Sequence, residues 1–241
     1  MIEKPPEKEM SFLDHLEELR RRILRSIAAI FIGAIAAYFV SEWLVNIVSA
    51  PLADVGVYFK APAEAFLTHI KISLFAGIII SSPIILYQIW MFVGPGLLKS
   101  EVIIVIPIVA SSTVFFLLGG SFCFFYVLPL AVKFLLEFGT DNMRPMIMIG
   151  DYISFAGALV LAFGIVFELP VASFILGRIG IIDHKMLGKG RRYAVVGIFI
   201  LAAVITPPDM ISQLLLGIPL YLLYEVSIIV VWMTGRDRNR E

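Results

Sequence analysis

At 241 residues, 60% hydrophobic and 16% charged, with a mean hydropathy of +0.95, the chain is too apolar for a soluble domain. Such domains carry about 45–50% apolar and about 25% charged residues, so this composition defines an integral membrane protein. The 19 Lys and Arg balance 19 Asp and Glu, which argues against a nucleic-acid binder, and the one cysteine, Cys123, excludes an internal disulfide.

The N-terminal stretch "SFLDHLEELRRRI" (11–23) places Phe12, Leu16, Leu19 and Ile23 at spacings of 4, 3 and 4. This is one face of an amphipathic helix over 11–22, lying at the membrane interface, with Ser11 and Asp14 suited to its cap. Glu17 with Arg21 and Glu18 with Arg22 stand at i,i+4, where ion pairs are worth roughly 0.2–0.5 kcal/mol each. The same acids also suit a basic ligand, and spacing leaves both readings open.

The next apolar run, 23–41, exceeds the roughly 7–15 residues of a cleavable signal segment, so it reads as a retained first span. No Ser-rich, acid-poor transit peptide precedes it, which makes a prokaryotic inner membrane the expected location. Further runs near 70–93, 102–128, 151–177, 192–205 and 211–233 bring the expected spans to six. The class is all-α, because a lone segment in hydrocarbon must satisfy its own backbone groups. Pro83, Pro107 and Pro170 fall inside spans and are expected to kink them.

The two long connections carry apolar stripes at helical spacing. Trp43, Leu44, Ile47 and Val48 form one, ended by Pro51; Ala131, Phe134, Leu135 and Phe138 form the other. Both read as short helices packed as a cap on the outer side of the bundle. The short 94–101 loop carries Glu101, a second acid that is either a solvated loop charge or part of a site for a basic ligand. Two carboxylates from two elements would suit a paired-arginine peptide, each charge-assisted bond contributing about 1.5–3 kcal/mol.

Glu168 interrupts an otherwise apolar run, with Pro170 two positions later. A carboxylate near mid-membrane costs roughly 2.5–3.5 kcal/mol on insertion scales. It either faces the bundle or a water-filled cavity, or is protonated and bonded to a carbonyl freed by Pro170. Glu225 is the other acid deep in an expected span. The fifth run, 192–205, has 14 residues, about 21 Å as helix. Either it is a short hairpin that thins the bilayer or its boundary lies further out. "TPPD" (206–209) then turns the chain, with Thr206 as cap, Pro207 at the first helical position and Asp209 completing a capping-box-like pattern.

Fifteen of the 19 basic residues fall in the N-terminal segment, the 94–101 and 177–192 loops and the tail. By the positive-inside rule both termini are cytoplasmic and the number of spans is even. No metalloprotease, nucleophile-elbow, Walker or aspartyl-protease motif is present, and His15, His69 and His184 lie at non-ligand spacing. Neither an enzyme nor a metal site or cofactor is expected. No internal repeat supports a secondary transporter.

The segments "HLEELRRRI" (15–23), "SAPL" (49–52), "SSPIILYQIWMFVGPGLLKSE" (81–101), "FGIVFELPV" (163–171), "ITPPDMISQ" (205–213) and "IPLYLLYE" (218–225) resemble the TatC family, the C subunits of the twin-arginine protein translocase. The resemblance runs in order from Ser11 to the basic tail. It implies a glove-shaped, concave six-helix bundle over 1–241 that exports folded proteins using the proton-motive force. It also implies binding of twin-arginine signal peptides, single-span TatA and TatB partners, and self-association in the bilayer. Carried over by position, the signal-recognition acids fall on Glu18 and Glu101, with Leu16, Leu19 and Arg20 shaping that patch. Glu168 matches the intramembrane glutamate of the concave face, and Thr206 and Gln213 match the TatA/TatB-contacting positions. Pro51, Asp209 and Glu225 match further family positions. The alternative is a proton-coupled small-solute transporter relaying protons through Glu168 and Glu225, which would show solute flux in liposomes holding this chain alone.

Overall fold

The computed structural model describes residues 12–53, 55–93, 102–137, 145–205 and 210–238. Their regular structure is helical, apart from one isolated β-bridge between Tyr58 and Met148. Among the described residues, four helical stretches are long and apolar enough to cross a membrane: Pro62–Phe92, Ile106–Glu137, Ile149–Ile179 and Leu216–Met233. A fifth is added if the pair Leu13–Tyr38 and Ser41–Leu52, bent by 83°, counts as one span. Exposed apolar side chains such as Phe31, Ile35, Ile106, Phe125, Ile165 and Leu222 cover the outside, as expected of a surface solvated by lipid.

Helix α1 runs unbroken from Phe12 to Tyr38, so the expected interfacial helix and first span are one element. No proline lies within it, and the Glu17–Arg21 and Glu18–Arg22 pairs bridge the turn where the two were expected to part. After the bend, α2 (Ser41–Ser49) ends in a 3₁₀ turn, Ala50–Leu52, that contains Pro51. Helix α3 (Pro62–Val93) starts eight residues before the expected span, with Pro62 at its first position and the Glu64 carboxylate accepting from the Lys60 backbone N–H at 2.7 Å. Its 32 residues are about 48 Å long, longer than the hydrocarbon.

α1 packs along α3 more extensively than any other described pair of elements. The reason is a small-residue crossing. A Cβ added to Gly77 would stand 2.5 Å from the Ala34 nitrogen, and one added to Gly33 would stand 2.9 Å from the Gly77 carbonyl oxygen. Close backbone approach of this kind holds helices together where lipid removes the hydrophobic drive. The Ser81 hydroxyl reinforces it by donating to Ala29 O at 2.7 Å.

Helix α4 (Val102–Phe122) continues through a π-helical turn, Cys123–Val127, into α5 (Leu128–Glu137). The expected break near 128 is therefore a change of helical pitch, which places Cys123 and Val127 together in the core. Of the expected 131–138 stripe, Ala131 is buried and Phe134 and Leu135 are half-buried, while Phe138 lies outside the described residues. Helices α6 (Ile149–Phe167) and α7 (Leu169–Ile179) are separated by a single turn residue, Glu168. Pro170 explains the break, since it has no N–H to return to the carbonyl of Val166. Gly180, at φ +84°, closes α7 in a left-handed cap, with the Ile181 N–H on Leu176 O at 2.9 Å.

Helix α8 spans His184–Ile205, so the fifth run is short in its apolar part and not in its helix. Its first nine residues include Lys185, Lys189, Arg191 and Arg192, which is why it fails the length-and-hydropathy criterion. Helix α9 (Met210–Arg238) packs on both α7 and α8. The core centres on α6, whose Ile153, Leu159 and Phe163 pack with Leu52, Cys123 and Leu216.

The two long connections clasp one another at the end of the bundle remote from Phe12. The Tyr58 N–H donates to Ile147 O at 2.9 Å and the Ile149 N–H to Tyr58 O at 2.8 Å. The Tyr152 hydroxyl adds a bond to Val48 O at 2.8 Å. Lys71 Nζ reaches Ser154 Oγ at 2.9 Å and Gly150 O at 3.3 Å.

The crossing yields a test. Gly77→Val should lower the thermal-unfolding midpoint of the detergent-solubilised chain, at a cost of about 1–3 kcal/mol. Gly197→Ala, where an added Cβ meets nothing within 4 Å, should leave the midpoint unchanged or raise it slightly.

Candidate functional site

Besides the polar contacts of the clasp, the described residues that the sequence singles out gather in three places. The first is the end of the α1–α3 pair that carries Phe12. Glu17 and Glu18 are adjacent in sequence but 100° apart around the helix, and their environments differ. Glu17 is half exposed and pairs with two exposed arginines, Arg20 at 3.5 Å and Arg21 at 3.9 Å; such pairs contribute little. Glu18 turns toward α3. Its Oε1 accepts from Arg22 Nε at 2.9 Å and also from Arg22 NH2. The remaining guanidinium nitrogen, NH1, donates to Gln88 Oε1 of α3 at 3.3 Å. Side-chain exposure is 22% for Glu18 and 14% for Arg22, and Gln88 is buried. His15 stacks on Phe92 at 4.4 Å between ring centres, a second tie between the same two helices.

Of the other residues expected here, Leu16 and Arg20 are exposed and Leu19 is half-buried. Glu101 lies outside the described residues, so its proximity to Glu18 stays an expectation. Both the Arg22 pairing and the alternative role of Glu18 as a ligand acceptor are compatible with this geometry, since one oxygen carries both Arg22 contacts. The sequence spacing indicated Arg22 but not Gln88, whose contact spans 66 positions.

The second place is the α6–α7 break. Both Glu168 carboxylate oxygens are buried and complete no hydrogen bond among the described residues, so the expected bond to a carbonyl freed by Pro170 is not seen there. The carboxyl lies beside Ser112 of α4. Ser112 is fully buried and its oxygen accepts the Trp90 indole N–H of α3 at 2.7 Å. Three elements thus bring Trp90, Ser112 and Glu168 together against an apolar cluster that includes Ile108, Val171 and Ile175. Sequence reading missed Trp90 and Ser112. The polar triplet Ser111-Ser112-Thr113 inside an apolar helix was the available signal.

The third place is the α8–α9 hairpin. Glu225 receives a bidentate pair from Arg191, Nε to Oε1 at 2.7 Å and NH2 to Oε2 at 2.8 Å, and the Tyr221 hydroxyl at 2.7 Å. Its charge is met by a neighbouring helix, because α8 starts early enough to include Arg191. The Gln213 amide donates to Phe199 O at 2.9 Å, tying the hairpin. Thr206 and Asp209 lie outside the described residues. Pro51 sits half-buried in the 3₁₀ turn beside buried Leu52. Among the described residues no group of His, Cys, Asp or Glu could hold a metal ion.

Four to five helical stretches long and apolar enough to cross a membrane, among the described residues, define a multi-pass membrane protein. A family model described as Sec-independent protein translocase protein (TatC) matches residues 14–219. The TatC protein of Carboxydothermus hydrogenoformans is 47% identical over 227 residues, covering 93% of each chain. That of Aquifex aeolicus is 40% identical over 236 residues, covering 95% of this chain and 98% of the relative. A crystal structure of the twin arginine translocase receptor TatC superposes with a TM-score of 0.82 at 40% identity, covering 92% of this chain and 99% of that one. The chain belongs to the TatC family and is a component of the Sec-independent protein translocase, not an enzyme. Glu225 lies beyond the stretch the family model matches.

An orphaned buried carboxyl is a liability to the fold. Glu168→Met should therefore raise the thermal-unfolding midpoint, by about 1–3 kcal/mol of stability. A lower midpoint would mean that the carboxyl has a stabilising partner.

Proposed function

We propose that the chain is the receptor and core subunit of the twin-arginine translocase, a single six-span domain over 1–241 in a prokaryotic inner membrane. In this reading both termini are cytoplasmic and the bundle is a concave glove with a short last hairpin. Two spans beyond the four that satisfy length and hydropathy come from α1 and α8, whose polar first turns sit in the cytoplasmic interface. The segregation of 15 of the 19 basic residues supports that orientation.

The observation that carries the functional reading is Glu18. It is a partly shielded carboxylate at the basic end of the bundle, already holding a guanidinium in charge-assisted geometry. A signal peptide with paired arginines presents the same group twice. One arginine docks on Glu18 and the other on Glu101, while the peptide's apolar stretch lies along the bundle. Leu16, Leu19 and Arg20 border the site.

Glu168 then supplies a polar feature for an inserted signal or a TatA or TatB helix. Among the described residues only Ser112 stands beside its carboxyl and no hydrogen bond to either oxygen is completed, which supports a partner from outside the chain. Thr206 and Gln213 contact the same single-span helix, and Pro51, Asp209 and Glu225 are further positions shared with the family. The subunit self-associates in the receptor complex, and the proton-motive force drives export of folded cargo. No observation favours a solute transporter: Glu225, its second relay residue, is ion-paired.

Each of Glu18→Ala and Glu101→Ala should weaken binding of a twin-arginine signal peptide about 10- to 100-fold, from ~1.5–3 kcal/mol per charge-assisted bond. Wild-type affinity in the double variant overturns the docking step. Glu168→Gln should retain export in a vesicle assay and Glu168→Met should lose it, since a hydrogen-bonding role survives amidation. Loss with both would assign the role to ionisation instead.

A further inference from the structure

Three consecutive arginines, Arg20 to Arg22, look equivalent in the sequence, and the orientation of the chain requires only their charge. The structure separates them. Arg20 and Arg21 are 72% and 65% exposed and meet Glu17 at 3.5 and 3.9 Å, whereas Arg22 is 14% exposed and spends two of its nitrogens on Glu18 Oε1. Its third nitrogen is already on Gln88.

We propose that Arg22 is a resident guanidinium that occupies Glu18 until a signal arginine displaces it, and that Gln88 retains it after displacement. The exchange makes these two side chains set a preference for arginine over lysine. This rests on the reading of Glu18 as a signal-peptide acceptor.

The physical case is one of competition. A carboxylate shielded by α1 and α3 would hold any cation that reached it, so an empty Glu18 would bind lysine as well as arginine. With Arg22 in place, an incoming residue gains only the difference between its own contact and the one it breaks. Arginine matches the fork that leaves, planar and with parallel donors, and exchanges like for like. Lysine offers a compact, strongly hydrated ammonium, which cannot reproduce the two-nitrogen contact and sheds more water on entry. Lysine is therefore rejected by a contact the site makes with itself.

Gln88 makes the exchange affordable. A half-buried guanidinium left with no acceptor would oppose displacement. Gln88 Oε1 stands 3.3 Å from NH1, is neutral, and is held in the buried face of α3, so Arg22 can release Glu18 and keep a partner. The two neighbours of Glu18 thus carry opposite expectations. Removing Arg22 should tighten signal binding, and removing Gln88 should weaken it.

Synthetic peptides with paired arginines or paired lysines ahead of the same apolar stretch would be titrated against the full chain in nanodiscs. Arg22→Met should tighten the arginine peptide about tenfold, ~1.4 kcal/mol, and the lysine peptide more, narrowing the ratio between them. Arg22→Lys, which keeps the charge that orients the chain, should fall between wild type and Arg22→Met. Gln88→Met should weaken the arginine peptide several-fold alone and have no effect in the Arg22→Met background. Equal weakening of both peptides by Arg22→Met would show that Arg22 only orients Glu18 and overturns the inference. So would a Gln88→Met effect that is the same in both backgrounds. If Glu18→Ala leaves both peptides bound as in wild type, the acceptor reading falls with it. If Glu18→Ala weakens binding but Arg22→Met does not tighten it, the exchange alone falls.

Discussion

Inside hydrocarbon no water satisfies a backbone N–H or C=O, so each interruption of a helix has to be met by protein. That constraint locates the irregular points of this fold. The π turn at Cys123–Val127 keeps its backbone bonded while shifting the register, and two of its side chains are in the core. The α6–α7 break is one residue long, with the Ala172 N–H returning to Glu168 O at 2.8 Å. At the end of the bundle remote from Phe12, two connections bond to each other. Among the described residues, the π turn and the α6–α7 break both fall where side chains from other helices stand, and Glu168 is at the second.

The two candidate sites are opposite solutions to burying a carboxylate. Glu18 is shielded and paired with a cation; Glu168 is buried beside a serine and has no bond. A paired carboxylate contributes to the fold, whereas one left without a hydrogen bond is held there at a cost. Helix α3 serves both. Gln88 touches Arg22 and Trp90 touches Ser112, two residues apart and so on opposite flanks of the same turn. The last turns of α3 are the common wall of both side-chain clusters.

Much of this was legible from one dimension. Apolar runs located the helices, the Trp43–Val48 stripe identified α2, and i,i+4 spacing anticipated both pairs in α1. What periodicity could not see was continuity and partnership. A polar first turn and an apolar remainder look like two elements, as in α1, or like a shortened one, as in α8, because hydropathy reports the solvent and not the hydrogen-bond ladder. Partners of buried polar groups come from distant positions: Gln88 for Arg22, Ser112 for Trp90, Arg191 for Glu225. Glu225 looked like an intramembrane charge of the same kind as Glu168 only because Arg191 had been assigned to a loop.

The clasp around Tyr58 has a mechanical consequence. It fastens the connection that leads into α3 to the start of α6, while Tyr152 fastens α6 to the end of α2. The other end of α3 is tied as well, by His15 on Phe92, Arg22 on Gln88 and the Trp90 indole on Ser112. A rod of roughly 48 Å held at both ends resists tilting. The positions of Gln88 and Trp90 are therefore set from the Tyr58 end as well as by their own partners.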